Sequence, residues 1–252
     1  MRTLLPITLL SLLAGAANSI AGGGTLLTFP ALIGLGIPPI VANATSTVAL
    51  LPGSASSMFG YRSTLTSARA WLIAFALPSV FGGAIGAWLL VVTPERRFAN
   101  LVPFLVLGAT VLFLAQRPLL ALADRARLSP AVAAAPNAAF ICGQFVVAIY
   151  GGYFGAAAGI VMLAALGLMG LSDIHQMNGL KNWAAICFNG VAAVVFVMSR
   201  LVDWPVAIAM SIGAATGGWT ASRLAQRVPR EWVRGAVGVI GLLAAGWLFL
   251  RR

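Results

Sequence analysis

Residues 21–47 read AGGGTLLTFPALIGLGIPPIVANATST, and residues 156–182, which lie 135 positions further along the chain, read AAAGIVMLAALGLMGLSDIHQMNGLKN. Each stretch starts with a cluster of small residues, continues through an apolar run of about twelve residues and ends in a segment that contains Asn. A helix of twelve residues is roughly 18 Å long, whereas the hydrocarbon core of a bilayer is about 30 Å thick. Each of the two stretches therefore predicts a chain break followed by a helix that is too short to span a bilayer.

The offset of 135 residues recurs outside these two stretches. It relates five pairs of landmark residues: Gly24 and Gly159, Asn43 and Asn178, Gly82 and Gly217, Gly83 and Gly218, and Pro94 and Pro229. Residues 1–117 thus match residues 136–252 without a gap, and residues 118–135 form a linker. In a membrane protein such a repeat is typical of a transporter with its substrate between two similar halves. The alternative is coincidence in a Gly-rich sequence.

The composition predicts an integral membrane protein. Of 252 residues, 60% are hydrophobic and 8% are charged. In a typical soluble domain about half of the residues are apolar and about a quarter are charged. The net charge of +11 does not indicate nucleic-acid binding, because fifteen of the sixteen basic residues are Arg that mostly lie between apolar runs. Lipid headgroups explain such a distribution. We expect a multi-pass protein of the cell membrane, in a bacterium the inner membrane, with no cofactor and no metal site.

The apolar runs predict an all-α fold of two halves, each with a broken or re-entrant helix pair and three transmembrane helices. The pairs cover about 4–20 and 25–36, then 137–153 and 160–171; the longer runs cover about 44–61, 70–92 and 98–116, then 179–198, 204–224 and 233–250. If each pair enters and returns, the halves are inverted; if it makes one broken crossing, they run in parallel. Inversion places nine Arg on one side and six on the other, which favours it weakly under the positive-inside rule, with both termini outside.

A candidate anion site lies at the repeat-related breaks. We interpret the Gly and Asn clusters as four helix starts, whose free N–H groups and partial positive charge attract anions. The residues expected to bind the substrate are Gly22, Gly23, Gly24, Thr25, Asn43, Thr45, Ser46, Thr47, Gly159, Asn178, Lys181 and Asn182. Close helix packing is the alternative for the glycines, and simple helix capping is the alternative for the Asn residues. The Gly pairs at 82–83 and 217–218 are assigned mainly to helix packing.

Lys181 is the only Lys in the chain, and it lies in an otherwise apolar segment. A cation inside the membrane is costly, so it indicates a functional site, with a snorkelling side chain as the alternative. Just upstream, Asp173 and His175 are candidates for a proton-sensitive pair, or alternatively for a surface loop. No acidic residue lies at the centre of a predicted span.

At these residues the sequence resembles the sulfite exporter TauE/SafE family. The resemblance rests on Gly22–Gly24 through Pro30, on Ala42–Ser46, on GGYFGAAAGIVMLAALGL at 151–168 and on DIHQMNGLKN at 173–182. The chain departs from the family pattern at Ala157 and Ala158, where glycines are usual. The resemblance implies a transporter of sulfur-containing anions such as sulfite or organosulfonates, and it implies an anion more firmly than it implies sulfite.

Three other functions are weighed against anion transport. One is a carrier of another small solute, and a second is a structural or sensory membrane protein. The third, a membrane-embedded enzyme, is not expected, because the sequence has no paired intramembrane carboxylates and only one His. The expected partners are a small anion and the lipid bilayer, with a homodimer left open.

Overall fold

The computed structural model describes residues 4–20, 22–65, 68–125, 138–169, 171, 173–224 and 230–250. These residues form helices and no strand: α1 (Leu4–Ile20), α2 (Gly24–Gly34), α3 (Pro39–Gly60), α4 (Arg62–Leu65), α5 (Arg69–Val92), α6 (Glu95–Leu114), α7 (Gln116–Arg125), α8 (Ala138–Tyr153), α9 (Ala158–Leu168), α10 (Ile174–Met198), α11 (Trp204–Leu224) and α12 (Arg230–Leu250). The prediction of an all-α fold is confirmed.

The outer surface of the bundle is apolar. Phe81, Trp88 and Ile212 each expose more than half of their side-chain area. Among the described helices, α5, α6 and α10 are long and apolar enough to cross a membrane. Continuous exposed apolar surface is unfavourable in water but matches the interior of a bilayer. The protein is therefore an integral membrane protein.

The two helix breaks lie where the sequence predicted them. The chain leaves α1 through Gly22, at φ 83°, and leaves α8 through Gly155 and Ala157, at φ 75° and 63°. The helices that follow, α2 and α9, have 11 residues each, or roughly 16 Å, so neither spans a bilayer alone. Gly24 at the start of α2 packs against Ala14 of α1. This contact indicates that α2 folds back along α1.

The starts of α3 and α10 correct the sequence prediction. Asn43 and Asn178 were expected to begin helices, but α3 begins at Pro39 and α10 at Ile174. Proline is favoured at the first helical position, and the side chain of Asp173 accepts a hydrogen bond from the backbone of α10 as its N-cap. Both Asn side chains therefore project from the second turn of a helix.

The helix boundaries follow the same offset as the sequence landmarks. The pairs α3 and α10, α5 and α11, and α6 and α12 each begin 135 residues apart. The packing is also reciprocal, since α1 packs on α11 while α8 packs on α5. The predicted linker 118–135 contains most of α7, and its residues from 126 onward lie outside the described part of the chain. The division into two inverted halves stays a prediction.

Glycines make the reciprocal packing close. A β-carbon on Gly82 would lie 2.6 Å from the carbonyl oxygen of Phe145 in α8, and one on Gly217 would meet the carbonyl oxygen of Leu12 in α1. Neither place has room for a side chain. The assignment of these glycines to helix packing is confirmed.

Candidate functional site

A small cavity lies where the two helix breaks meet α3 and α10. Its volume is about 30 Å³, enough for roughly two water-sized molecules. Six of the residues predicted to bind substrate line it: Gly22, Thr25, Thr47, Gly159, Lys181 and Asn182. The cavity draws on both halves of the chain.

Two helix starts converge on this cavity. A β-carbon on Gly22 would lie 3.5 Å from the Cα of Gly159, so the two breaks are in contact. Thr25 and Gly159 belong to the first turns of α2 and α9, where backbone N–H groups have no acceptor within the helix and carry partial positive charge. The prediction of four converging starts is wrong, because α3 and α10 begin a turn earlier than expected.

Lys181 brings a full positive charge to the cavity from α10. Its side chain is 2% exposed, which contradicts the snorkelling alternative. The ammonium Nζ donates hydrogen bonds to the carbonyl oxygens of Asn18, at 2.9 Å, and Ser19, at 3.3 Å. These carbonyls belong to the last turn of α1, the negative end of the helix dipole. Gly159 lies against the lysine stem, since a β-carbon there would be 2.9 Å from Cδ.

Asn182 and Thr47 add neutral polar groups to the cavity wall, and the offset of 135 relates them. Asn182 is 1% exposed, and its amide Nδ2 is buried without an acceptor among the described residues. The Thr47 hydroxyl donates to the carbonyl oxygen of Asn43, at 2.9 Å. The wall therefore offers at least one amide donor that no described protein group uses.

Asn43 closes the end of α8 as Lys181 closes the end of α1. Its Nδ2 donates to the carbonyl oxygen of Tyr153, at 3.0 Å, and Tyr153 lies 135 residues after Asn18. In each half, the helix before the break is thus capped by a side chain from the other half. Asn43 therefore contacts the backbone at the second break and does not line the cavity.

The remaining predicted binding residues do not line the cavity: Gly23, Gly24, Asn43, Thr45, Ser46 and Asn178. Thr45 accepts a hydrogen bond from the backbone N–H of Asp203, at 3.0 Å, just before α11. The hydroxyls of Ser46 and Thr28 lie 2.6 Å apart in the buried space between α2 and α3. These contacts hold helices together.

Asp173 and His175 also lie outside the cavity lining. The carboxylate of Asp173 accepts a hydrogen bond from the backbone N–H of His175, at 2.9 Å, and so caps α10. The imidazole instead faces the ring of Tyr61, with 6.0 Å between ring centroids. The Asp173 carboxylate thus caps α10, and a role of the two residues in proton coupling stays a prediction.

Sequence reasoning missed two Asn residues of the cavity wall, Asn18 and Asn189. Asn189 follows Asn182 by seven residues, a spacing that places both on one helix face, and that periodicity would have found it. Asn18 lies at the end of an apolar run, just before the first Gly cluster. Its amide donates to the hydroxyl of Ser54, at 3.3 Å.

Within the described residues, no group of three His, Cys, Asp or Glu side chains is placed to hold a metal ion.

Comparison with known proteins agrees with this architecture. The sequence model of the family described as Sulfite exporter TauE/SafE matches residues 7–248. The chain belongs to the TauE/SafE family. Because the match runs from α1 to α12, it includes both breaks and every residue of the cavity.

Several relatives of the chain are described as probable membrane transporter proteins. One from Sinorhizobium sp, ORF9, is 27% identical over 236 residues, which cover 92% of this chain and 87% of the relative. One from Haemophilus influenzae is 28% identical over 240 residues, 91% and 88% of the two chains. YfcA of Escherichia coli strain K12 is 29% identical over 240 residues, 94% and 86%. The chain is thus a membrane transporter of the TauE/SafE family.

Proposed function

We propose that this transporter carries a small anion, a sulfur oxyanion or an organosulfonate, across the cell membrane, which it spans several times. One observation carries the proposal. The buried ammonium of Lys181 and the unused amide donor of Asn182 lie side by side on a cavity between two helix starts. All of these groups favour negative charge.

The electrostatics of the cavity support an anion over a cation. The described lining residues include Lys181 and no Asp or Glu, so the cavity wall carries positive charge. An ammonium about 4 Å from a unit negative charge contributes on the order of 4 kcal/mol at an effective dielectric of about 20. That attraction offsets part of the hydration that an anion loses on entering a buried site. The α1 carbonyls hold the ammonium in position at the wall.

The small volume supports a closed conformation of the transport cycle. A cavity of about 30 Å³ admits little more than two waters, so an organosulfonate requires the breaks at Gly22 and Gly159 to separate. Contact between those breaks makes them the natural gate. In transporters built from two repeats, movement of one repeat against the other opens the central site to each side in turn. We propose the same here, with 1–117 and 136–252 as the moving parts.

A binding and flux experiment tests the proposal. The purified protein is titrated with sulfite, thiosulfate, methanesulfonate, acetate and neutral urea while its melting temperature is followed, and flux of the hits is measured in proteoliposomes. We expect a sulfur anion to raise the melting temperature, because it binds only the folded state, and to cross the vesicle membrane. Binding of acetate or urea alone would instead support a carrier of another solute. Absence of flux for every compound would contradict the proposal.

A further inference from the structure

We propose that a cleft at the ends of α3 and α11 binds the phosphate headgroup of an anionic phospholipid. The cleft, called here the Arg cleft, has a volume of about 560 Å³ and is lined by Ser56, Phe59, Gly60, Arg62, Trp219 and Arg223. It lies outside the substrate cavity, with which it shares no lining residue. The two arginines bring two positive charges to the cleft, and none of its described lining residues is acidic.

The guanidinium of Arg223 packs over the indole ring of Trp219. Its Cζ lies 4.2 Å from the centroid of the Trp219 ring, so the cation stacks on the indole. Stacking uses the face of the guanidinium and leaves the N–H groups at its edge, which match the paired oxygens of a phosphate. The single hydroxyl proton of Ser56 is shared between the carbonyl oxygens of Gly53, at 3.0 Å, and Ala215, at 2.9 Å, so Ser56 has no further proton to donate to an anion. The arginines are therefore the anion ligands of the cleft.

The position of the cleft indicates a lipid rather than a soluble anion. Trp204 and Trp219 of α11 are 49% and 45% exposed, and Trp204 lies nineteen residues before Arg223, or about 28 Å along the helix, which is close to the ~30 Å thickness of the hydrocarbon core. Tryptophans so placed are typical of the two membrane interfaces. Arg223 follows one turn after Trp219, at headgroup depth. Phe59, 62% exposed, gives the cleft an apolar side for an acyl chain.

The cleft is also built on rigid helix packing. Gly60 of α3 leaves no room for a β-carbon beside the hydroxyl of Ser222, and Gly218 of α11 leaves none beside the carbonyl of Gly53. A phosphate held between Arg62 and Arg223 would link the start of α4, which directly follows α3, to the last turn of α11. The expected result of binding is therefore greater stability.

Lipid titration of the full chain in detergent tests the inference. Dioleoyl phosphatidylglycerol is compared with dioleoyl phosphatidylcholine and with inorganic phosphate, and affinity is read from the melting temperature. The double variant Arg62→Gln/Arg223→Gln is compared with Arg96→Gln/Arg97→Gln, which removes two exposed arginines outside the cleft. We expect phosphatidylglycerol to stabilise the wild type and the control pair. In the cleft variant its affinity should fall by roughly thirtyfold, given the contribution of each basic residue near a lipid surface.

Three outcomes would overturn the inference. Equal stabilisation by phosphatidylcholine would show that charge plays no part. An equal loss in the control pair would show general attraction between a basic protein and anionic lipid. Stabilisation by inorganic phosphate at the same concentration as phosphatidylglycerol would assign the cleft to a soluble anion. A cleft variant that melts near the wild-type temperature without lipid excludes a folding defect as the cause.

Discussion

Lys181 Nζ donates a hydrogen bond of 2.9 Å to the carbonyl oxygen of Asn18, so a lysine on α10 closes the end of α1. The same side chain lines the cavity. An anion in the cavity would therefore share the ammonium with the end of α1. Binding and the position of the first break are thus linked through one side chain, and this link makes Lys181 the most informative site for substitution.

Lys181→Met should weaken sulfite binding at least tenfold, because it removes the positive charge that Lys181 brings to the cavity wall, and a loss of about 1.4 kcal/mol suffices for that factor. Lys181→Arg should restore binding only in part, since the planar guanidinium is larger and donates in fixed directions. Isothermal titration calorimetry with sulfite measures both.

The melting temperature of Lys181→Met without sulfite is the control, because the variant also leaves the carbonyls of Asn18 and Ser19 without this donor. A folded Lys181→Met protein with wild-type sulfite affinity would assign the lysine to closing α1 alone.

Asn182→Leu should reduce sulfite binding, whereas Asn43→Leu should reduce the stability of the fold. The Asn182 amide is buried without an acceptor among the described residues, so its loss should weaken sulfite binding and leave stability nearly unchanged. Asn43→Leu removes the donor to the carbonyl of Tyr153 and should cost roughly 1–3 kcal/mol of unfolding free energy. Melting curves and sulfite titrations of both variants test the contrast. A stable Asn43→Leu protein that has lost sulfite binding would instead place Asn43 in the binding site.

Ala157→Gly should stabilise the protein. Ala157 precedes α9 with φ 63°, a left-handed conformation that costs a non-glycine residue roughly 1–2 kcal/mol. Gly155→Ala is the matched control, because Gly155 has φ 75° and a β-carbon there would lie 2.9 Å from the carbonyl oxygen of Gly151. The melting temperature should rise for the first variant and fall for the second. Equal destabilisation by both would mean that the second break tolerates no change.

Gly82→Val should destabilise the contact between α5 and α8 by roughly 1–3 kcal/mol or more, the range for overpacked interiors. Gly108 of α6 is the matched control, since a β-carbon there would meet none of the described residues within 4 Å. Thermal unfolding in detergent compares the two Val variants. A similar melting temperature for both would contradict close packing at Gly82.

The topology prediction separates inverted from parallel repeats. Three crossings per half place the segment 126–135 on the side opposite to both termini, whereas four crossings place all three on one side. Green fluorescent protein and alkaline phosphatase, fused after residue 130 or after residue 252, report opposite sides of the cell membrane. We expect fluorescence from the first fusion and phosphatase activity from the second. Fluorescence from both fusions would favour parallel repeats.

Local sequence was sufficient to predict the two helix breaks, because each break depends on the backbone conformation of single residues. Gly22 and Gly155 adopt conformations that favour glycine, so both breaks were visible in the sequence. Local sequence was insufficient for the starts of α3 and α10. Asn43 and Asn178 were predicted to cap these helices. Instead, α3 begins at Pro39, and Asp173 caps the start of α10. Side-chain type alone does not distinguish a cap from a residue of the second turn.

The sequence by itself determined that the protein is helical and membrane-embedded, because composition and the length of apolar runs decide whether a helix is stable in lipid. It also determined the two breaks and the family. Only the tertiary structure decided which polar residues line the cavity, because residues four apart share one face of α3 and the elements packed at each level of that face decide what each side chain meets. Asn43 thus binds the end of α8 while Thr47 lines the cavity. The place of Lys181 at the end of α1, 163 positions away, depends on long-range packing that no local pattern encodes.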